Sequence, residues 1–193
     1  MGLRTIVTLS DPVLRRKARP VTTFDKDLQT LVDDMIDTMR QAPGVGLAAP
    51  QVGVSQRLIV VEYAEPPEED EEGAVGPGPA SAPGTPTESQ PAPKPVKPKL
   101  YVMVNPEIVK SSSEVVAGVE GCLSIPGLVG EVERFSTVQI KGQNRRGQPM
   151  KVKAEGWLAR IFQHEIDHVN GVVFPDRALR VWKPEPEEVE KLA

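Results

Sequence analysis

Two stretches of the chain carry apolar residues at the spacing of a helix. In the first, apolar side chains recur every three or four positions and acidic side chains fill the opposite face, which predicts a helix that follows Asp25 and ends at Pro43-Gly44. The second pattern predicts a helix over residues 156–170, with Gly171 as its C-terminal stop. A shorter turn or helix is expected after Asp11-Pro12.

Runs of β-branched and apolar residues predict four strands, at residues 57–63, 100–109, 132–141 and 150–153. The last two are typical of a hairpin, and the two arginines of its turn, Arg145 and Arg146, are expected in solvent. The stretch before Glu120 is rich in turn residues and is assigned no strand. At 193 residues the chain is long enough for one domain with a sizeable core.

Residues 64–99 differ from the rest of the chain. They hold ten of the twenty prolines, an acidic run over residues 65–72 and hardly any large apolar side chain. This composition predicts a flexible or polyproline-like insertion within a single domain of residues 1–193, rather than a second domain. Because the segment buries little, its removal is expected to leave fold and chemistry intact. Docking of the segment on a partner is the alternative.

Charge and cysteine content narrow the possible functions. A formal net charge of −4 argues against a nucleic-acid partner, although the whole acidic excess lies in residues 64–99. No run is apolar and long enough for a signal peptide or a membrane span. A lone cysteine excludes an internal disulfide and fits a reducing compartment. We therefore expect a cytoplasmic protein that does not associate with a membrane.

Residues 163–168 contain the pattern His-Glu-x-x-His. On a helix, His164 and His168 lie one turn apart on the same face, where both imidazoles can bind one metal ion. Glu165 follows the first histidine and can accept a proton from water activated by that ion. The chain has no other histidines, which favours a metal site over a solvated helix face with two ordinary histidines.

Two histidines do not complete a catalytic site, which takes three protein ligands and leaves one position for water. The place of a third histidine in one protease class is occupied by Phe174. Glutamates after the helix are a second possibility, but they lie in a short charged tail that would hold a ligand poorly: Glu185, Glu187, Glu188 and Glu190. Cys122 is the remaining candidate, with Gly121 and Pro126 setting its backbone geometry. A buried structural cysteine is the alternative.

Two further segments suggest a substrate cleft. The helix face with both histidines continues into Trp157 and Ile161, an apolar wall that predicts either a pocket for an apolar side chain or packing against a sheet. Arg160 lies beside this face and has no assigned role. Residues 44–51 combine glycines and alanines that let another chain approach the backbone, and Gln51 can donate a hydrogen bond to a substrate oxygen. An ordinary loop tip is the alternative.

Three segments together resemble, in order and in wording, the signature motifs of the peptide deformylases. They are residues 44–51 (Gly-Val-Gly-Leu-Ala-Ala-Pro-Gln), 120–124 (Glu-Gly-Cys-Leu-Ser) and 163–168 (Gln-His-Glu-Ile-Asp-His). The likeness runs from the first helix to about Asp176 and is interrupted by the insertion. It implies an α+β fold, with mixed or antiparallel sheets packed around a central metal-binding helix. It also implies hydrolysis of the formyl group from the N-terminal methionine of new polypeptides.

The resemblance also assigns roles by position. The metal ligands would be Cys122, His164 and His168. Glu165 would be general base and then acid, while Gln51 and the backbone N–H of Leu123 would stabilise the oxyanion. Gly46 would approach the substrate backbone, and Gly44 and Val45 would line the cleft. The ion would be one divalent metal, natively ferrous iron, with zinc, nickel or cobalt able to substitute. Partners would be formyl-methionyl peptide N-termini and, transiently, the ribosome.

The chain departs from the resemblance after Cys122. Many relatives carry a substrate-binding arginine there, but residues 127–130 contain none and Arg134 is the nearest, so this contact is not transferred. Two rival functions stay open: a catalytically silent, metal-stabilised module that binds peptide N-termini or the ribosome, and a metalloprotease that uses a tail glutamate. Intact Glu165 and Gln51 argue against the silent module, because a binding module needs neither.

Overall fold

Helix α2 packs against two β-sheets, and this arrangement sets the position of the site. The computed structural model describes residues 2–64 and 97–185. The helices are α1, Lys26–Gln41, and α2, Gly156–Val169. The strands are β1 Gly46–Ala48, β2 Leu58–Tyr63, β3 Lys99–Ser111, β4 Val115–Gly121, β5 Val129–Phe135, β6 Thr137–Gln143, β7 Pro149–Glu155 and β8 Arg180–Trp182. Short 3₁₀ helices cover Pro12–Arg15, Ala49–Val52 and Phe174–Asp176.

The strands of the described residues form a five-stranded sheet, β1-β2-β3-β6-β7, and a three-stranded sheet, β4-β5-β8. Neighbouring strands in both sheets pair antiparallel. The predicted α+β class is therefore confirmed, with antiparallel rather than mixed sheets. No helix in this part of the chain is long and apolar enough to cross a membrane.

The chain passes from one sheet to the other at Ser136, between β5 and β6. A single strand over residues 132–141 is therefore the wrong prediction. The carbonyl of Ser136 accepts a hydrogen bond from the backbone N–H of Gly156 at 2.9 Å, which joins the crossing point to the start of α2. Strand β4 was also missed, because Gly118 and Gly121 interrupt its apolar pattern and pairing with β5 stabilises it.

Strand β2 separates two apolar cores. Leu58 and Val60 face the core under α1, whereas Ile59 and Val61 face the core under α2. A strand buried on both faces explains why this segment reads as a continuous apolar run. Helix α1 begins as predicted, because the carboxylate of Asp25 accepts a hydrogen bond from the backbone N–H of Leu28 at 3.0 Å.

Helix α2 is the central element of the fold. Leu158, Phe162 and Ile166 pack into the core that it shares with the five-stranded sheet. The helix is followed by Gly171, whose φ of +77° favours glycine, and a Cβ there would lie 2.8 Å from the main-chain carbonyl carbon of Arg16. The predicted C-terminal stop is therefore confirmed.

The β6–β7 hairpin turns where predicted, but Arg145 does not lie free in solvent. Its guanidinium donates a hydrogen bond to Oε1 of Gln29 at 2.7 Å and pairs with Asp33 at 2.8 Å, both on α1. The expectation of a solvated turn is thus wrong for Arg145, because Gln29 lies 116 positions away in the chain. Arg146 is exposed as predicted.

Most of the predicted insertion, residues 65–96, lies outside the described residues. Lys99 is the first residue of β3 and pairs with Tyr63 of β2, so the insertion ends before the predicted boundary at residue 99. The segment therefore connects two adjacent antiparallel strands whose ends pair directly.

Removal of residues 65–96 is expected to leave the fold intact, because Tyr63 and Lys99 pair with each other and Ala64, Lys97 and Pro98 remain to close the hairpin. We expect the midpoint of thermal unfolding, followed by circular dichroism, to change by less than about 4 °C, the shift produced by about 1 kcal/mol in a domain of this size. A larger decrease would mean that the segment packs on the rest of the protein.

Candidate metal centre

Three potential metal ligands from distant parts of the chain lie together. The Sγ atom of Cys122 and one ring nitrogen each of His164 and His168 lie within 4.8 Å of one another. Sγ is 3.2 Å from Nε2 of His168, and the two imidazole centroids are 5.0 Å apart. One thiol and two imidazoles form a donor set that suits zinc or ferrous iron and leaves a fourth position open.

Helix α2 supplies two of these ligands from one face, as the four-residue spacing of His164 and His168 predicts. Both rings are held close to edge-to-face, with an interplanar angle of 72°. Burial lowers the pKa of His168 well below its ordinary value, so this imidazole is neutral, the form that binds a metal.

Cys122 directly follows β4 in a tight turn. The carbonyl of Cys122 accepts a hydrogen bond from the backbone N–H of Ile125 at 2.9 Å, and the carbonyl of Ser124 accepts one from Leu9 at 3.1 Å. The N-terminal segment thus fixes the turn that directs the thiol toward α2. Among the tail glutamates, Glu185 is not part of the ligand group, and the others lie outside the described residues: Glu187, Glu188 and Glu190.

Glu120 lies behind the ligands and orients one of them. Its Oε2 is 2.9 Å from Nδ1 of His164, which leaves the Nε2 side of that ring for a metal. Arg134 donates to both oxygens of Glu120, at 2.8 and 2.9 Å. Burial by itself raises the pKa of Glu120, but hydrogen bonds from Arg134 and His164 outweigh it and bring the pKa to about 2. The carboxylate is therefore charged at neutral pH.

Arg134 connects Glu120 to Asp167, which lies near the C-terminus of α2. Its Nη1 donates to Oδ2 of Asp167 at 2.5 Å, and Asp167 also accepts hydrogen bonds from Arg177 at 2.6 and 2.7 Å. Arg134 is buried and does not line the cavity described below. It is therefore a structural arginine and does not replace the substrate-binding arginine that the sequence lacks.

Glu165 differs from Glu120 in its surroundings. Burial raises the pKa of Glu165 to about 7. Its Oε2 is buried without a hydrogen-bond partner among the described residues. A Cβ on Gly46 would collide with this carboxylate, so only glycine leaves room for it. Glu165 lines the same cavity as Cys122 and His164, and a buried carboxylate without a partner at such a place suits proton transfer in a metal-activated hydrolase.

The amide of Gln51 is fixed toward the ligands. Its Oε1 accepts a hydrogen bond from the backbone N–H of Ala48 at 2.8 Å, so its Nε2 points the other way, at 3.5 Å from Sγ of Cys122. Gln51 is almost fully buried within the 3₁₀ helix Ala49–Val52. A donor held in one orientation at the ligand group is suited to stabilise a developing negative charge.

A cavity of about 450 Å³ opens on the ligand group. Of the predicted site residues, ten line it: Gly44, Val45, Gly46, Gln51, Cys122, Leu123, Trp157, Ile161, His164 and Glu165. The eleventh, His168, is almost fully buried and lies against Cys122. Trp157 and Ile161 both line the cavity, and Ile161 also packs in the core against the five-stranded sheet, so both predicted alternatives apply to this helix face. Val45 and Trp157 remain 46% and 42% exposed, so they stand at the mouth.

Ten other lining residues were not predicted as site residues: Pro43, Val119, Glu120, Gly121, Ile125, Gly127, Leu128, Val129, Arg160 and Pro184. Gly121 was expected only to set the backbone geometry of Cys122. For Glu120, one signal was present, since it stands two residues before a candidate ligand and metal-binding histidines commonly donate to a carboxylate. For Pro184, which follows β8, no local signal was present, because only strand pairing brings β8 beside β5.

Comparison with known proteins places the chain in a family. The family model described as polypeptide deformylase matches residues 3–183. The peptide deformylase of Halothermothrix orenii is 44% identical over 181 residues, which cover 94% of this chain and 97% of that protein. The peptide deformylase of Natranaerobius thermophilus is 42% identical over 185 residues, which cover 96% of this chain and 98% of that protein.

Solved structures of peptide deformylases are also similar to this chain. The crystal structure of a peptide deformylase from Thermotoga maritima has a TM-score of 0.71 at 38% identity and covers 92% of this chain and 99% of that chain. A peptide deformylase from Synechococcus elongatus, solved in complex with actinonin, has a TM-score of 0.70 at 32% identity and covers 97% of this chain and 82% of that chain.

The matched region spans all three motifs and both sheets, so the resemblance seen in the sequence is confirmed along nearly the whole chain. The chain belongs to the polypeptide deformylase family, the metal-dependent hydrolases that remove the N-formyl group from nascent polypeptides.

Proposed function

We propose that Cys122, His164 and His168 hold one divalent ion, natively ferrous iron, with zinc, nickel or cobalt as substitutes. The observation that carries this proposal is the convergence of their ligand atoms within 4.8 Å, beside a carboxylate with an unpartnered oxygen. A thiolate with two imidazoles suits this group of metals. When bound, the ion would supply a Lewis acid that polarises the formyl oxygen and acidifies water.

Glu165 is the proton carrier of the reaction. Its carboxylate accepts the proton of the attacking water and then donates it to the amine that leaves when the formyl C–N bond breaks. Support comes from its buried Oε2 without a partner and from the space that Gly46 leaves in front of it. One group thus serves as base and then as acid, and is regenerated at the end of the cycle.

Gln51 and the backbone N–H of Leu123 donate hydrogen bonds to the oxyanion. The anchor between Oε1 of Gln51 and the backbone of Ala48 supports this role, because it leaves the NH₂ group facing the ligands. Removal of one such donor typically costs about 3 kcal/mol of transition-state stabilisation. The donors do not need to reorganise as the charge develops.

The substrate peptide lies along Gly44, Val45 and Gly46, with the methionine side chain in the cavity against Trp157 and Ile161. Two glycines in this strip let the peptide backbone approach closely, and Ile161 offers a buried apolar surface. Substrates are therefore formyl-methionyl N-termini of nascent chains. We place the reaction in the cytoplasm, with transient contact to the ribosome and without a membrane or sequence-specific nucleic-acid partner.

Replacement of Glu165 by glutamine tests the proton carrier. Glu165→Gln keeps the shape of the side chain but cannot accept the proton, so kcat on formyl-Met-Ala-Ser is expected to fall by about 10²- to 10⁴-fold. Bound metal, quantified by elemental analysis, should match that of the unmodified protein. Glu107→Gln, which removes an exposed carboxylate paired with Lys141, is the control and should keep full activity. Full activity of Glu165→Gln would exclude the assignment.

Replacement of Cys122 by serine tests the third ligand. Because a hydroxyl binds these metals far less well than a thiolate, we expect the dissociation constant for zinc to rise by more than about 100-fold, beyond the usual effect of changing a residue behind a ligand. Chelator competition under anaerobic conditions measures it. An unchanged constant would exclude Cys122 as a ligand and with it the proposed metal site.

A further inference from the structure

Arg160 is a buried cation that the proposed mechanism does not use. Its side chain lies on α2 and is only 6% exposed. Its Nη1 donates to Oε1 of Glu120 at 2.9 Å and to the carbonyl of Val132 at 2.7 Å, and its Nη2 donates to the carbonyl of Val116 at 2.6 Å. The guanidinium of Arg160 therefore connects α2 to both β4 and β5.

Two neighbours hold this guanidinium in place. A Cβ on Gly118 of β4 would lie 2.8 Å from Cζ of Arg160, so the group fits against the strand only because residue 118 is glycine. On α2, the ring centroid of Trp157 lies 5.8 Å from Cζ. Trp157 and Arg160 both line the cavity.

Arg160 and its partner Glu120 each lie close in the sequence to one of the candidate ligands. Arg160 stands one helical turn before His164, whereas Glu120 stands two residues before Cys122. The second oxygen of Glu120 lies 2.9 Å from Nδ1 of His164. Arg160 thus joins the helix that supplies the imidazoles to the strand that leads to the thiol.

Arg134 does not make this connection redundant. It also binds Glu120, but it is anchored on β5 and reaches α2 at Asp167, next to His168. Arg160 instead acts at the His164 end of the ligand pair. A planar guanidinium can bind several fixed acceptors at the same time, which a lysine ammonium cannot do with the same geometry.

We propose that Arg160 is a positioning residue, which sets the spacing between the thiol of Cys122 and the imidazole of His164 and thereby the affinity for the metal. This inference rests on the proposed metal site. A shift of about 0.5 Å in a ligand is enough to weaken a metal centre, and residues behind the ligands typically change metal affinity by about 10- to 100-fold.

The test compares Arg160→Met and Arg160→Lys by zinc binding to the metal-free protein, measured by chelator competition. We expect the zinc dissociation constant of Arg160→Met to rise by about 10- to 100-fold. Arg160→Lys keeps the charge but loses the planar group with several donors. On a logarithmic scale, its zinc dissociation constant is therefore expected to lie closer to that of Arg160→Met than to that of the unmodified protein. Arg145→Met removes an arginine that ties α1 to the β6–β7 turn and should keep the original zinc affinity.

The folded state of each variant is checked by circular dichroism at the temperature of the zinc measurement. If Arg160→Met does not fold, Gly118→Ala decides, because its methyl group displaces the guanidinium while Arg160 is retained. A folded variant with unchanged zinc affinity, whether Arg160→Met or Gly118→Ala, overturns the inference and leaves the proposed function standing. Failure of the unmodified protein to bind zinc or iron would instead overturn the proposed metal site.

Discussion

A buried negative charge is the constraint on which this site depends. The carboxylate of Glu120 is about 5% exposed and is surrounded by Arg134, Arg160 and His164. Removing an ion from water costs several kcal/mol, and only good geometry with cationic donors offsets that cost. Burial alone raises the pKa of Glu120, but hydrogen bonds from Arg134 and His164 outweigh it and bring the pKa to about 2. Removal of one partner while the packing is retained would leave a buried charge without compensation.

The two faces of α2 are therefore held by different interactions. Toward the five-stranded sheet, the helix packs through Leu158, Phe162 and Ile166 in an apolar core. Toward the three-stranded sheet, it is held by ion pairs and hydrogen bonds. Hydrophobic packing on the apolar side is non-directional, whereas the hydrogen bonds of the polar side fix angles and distances. The candidate metal ligand His164 contacts Glu120 on this polar side.

Two carboxylates within one site behave differently because their surroundings differ. Glu120 forms ion pairs with two arginines, and its carboxylate is charged. Burial raises the pKa of Glu165 to about 7, and its Oε2 has no partner among the described residues. Separation of acidities by environment is a common way for one site to hold an orienting group and a proton carrier. The neighbouring Gly46 keeps the second carboxylate accessible from the cavity.

Elements with a strong local signal could be predicted from the sequence. Helix α2 repeats its apolar residues at helical spacing and ends at a glycine, and both are local properties of the chain. Strand β4 and the break at Ser136 could not be predicted, because pairing with β5 creates the first and the passage between sheets creates the second. The contacts of Arg145 escaped prediction for the same reason, since its partners lie on a distant helix.

For the site, the sequence by itself determined which residue types could serve as metal ligands, as a proton carrier and as an amide donor, since each candidate lies in a short motif. Only the tertiary structure shows that the ligand atoms of Cys122, His164 and His168 lie within 4.8 Å of one another and that Glu120 contacts both His164 and Arg160. Charge pairing and burial depend on which distant residues the fold brings together. A local sequence pattern does not show which distant residues become neighbours, and the energy of a buried ion is set by its neighbours in space.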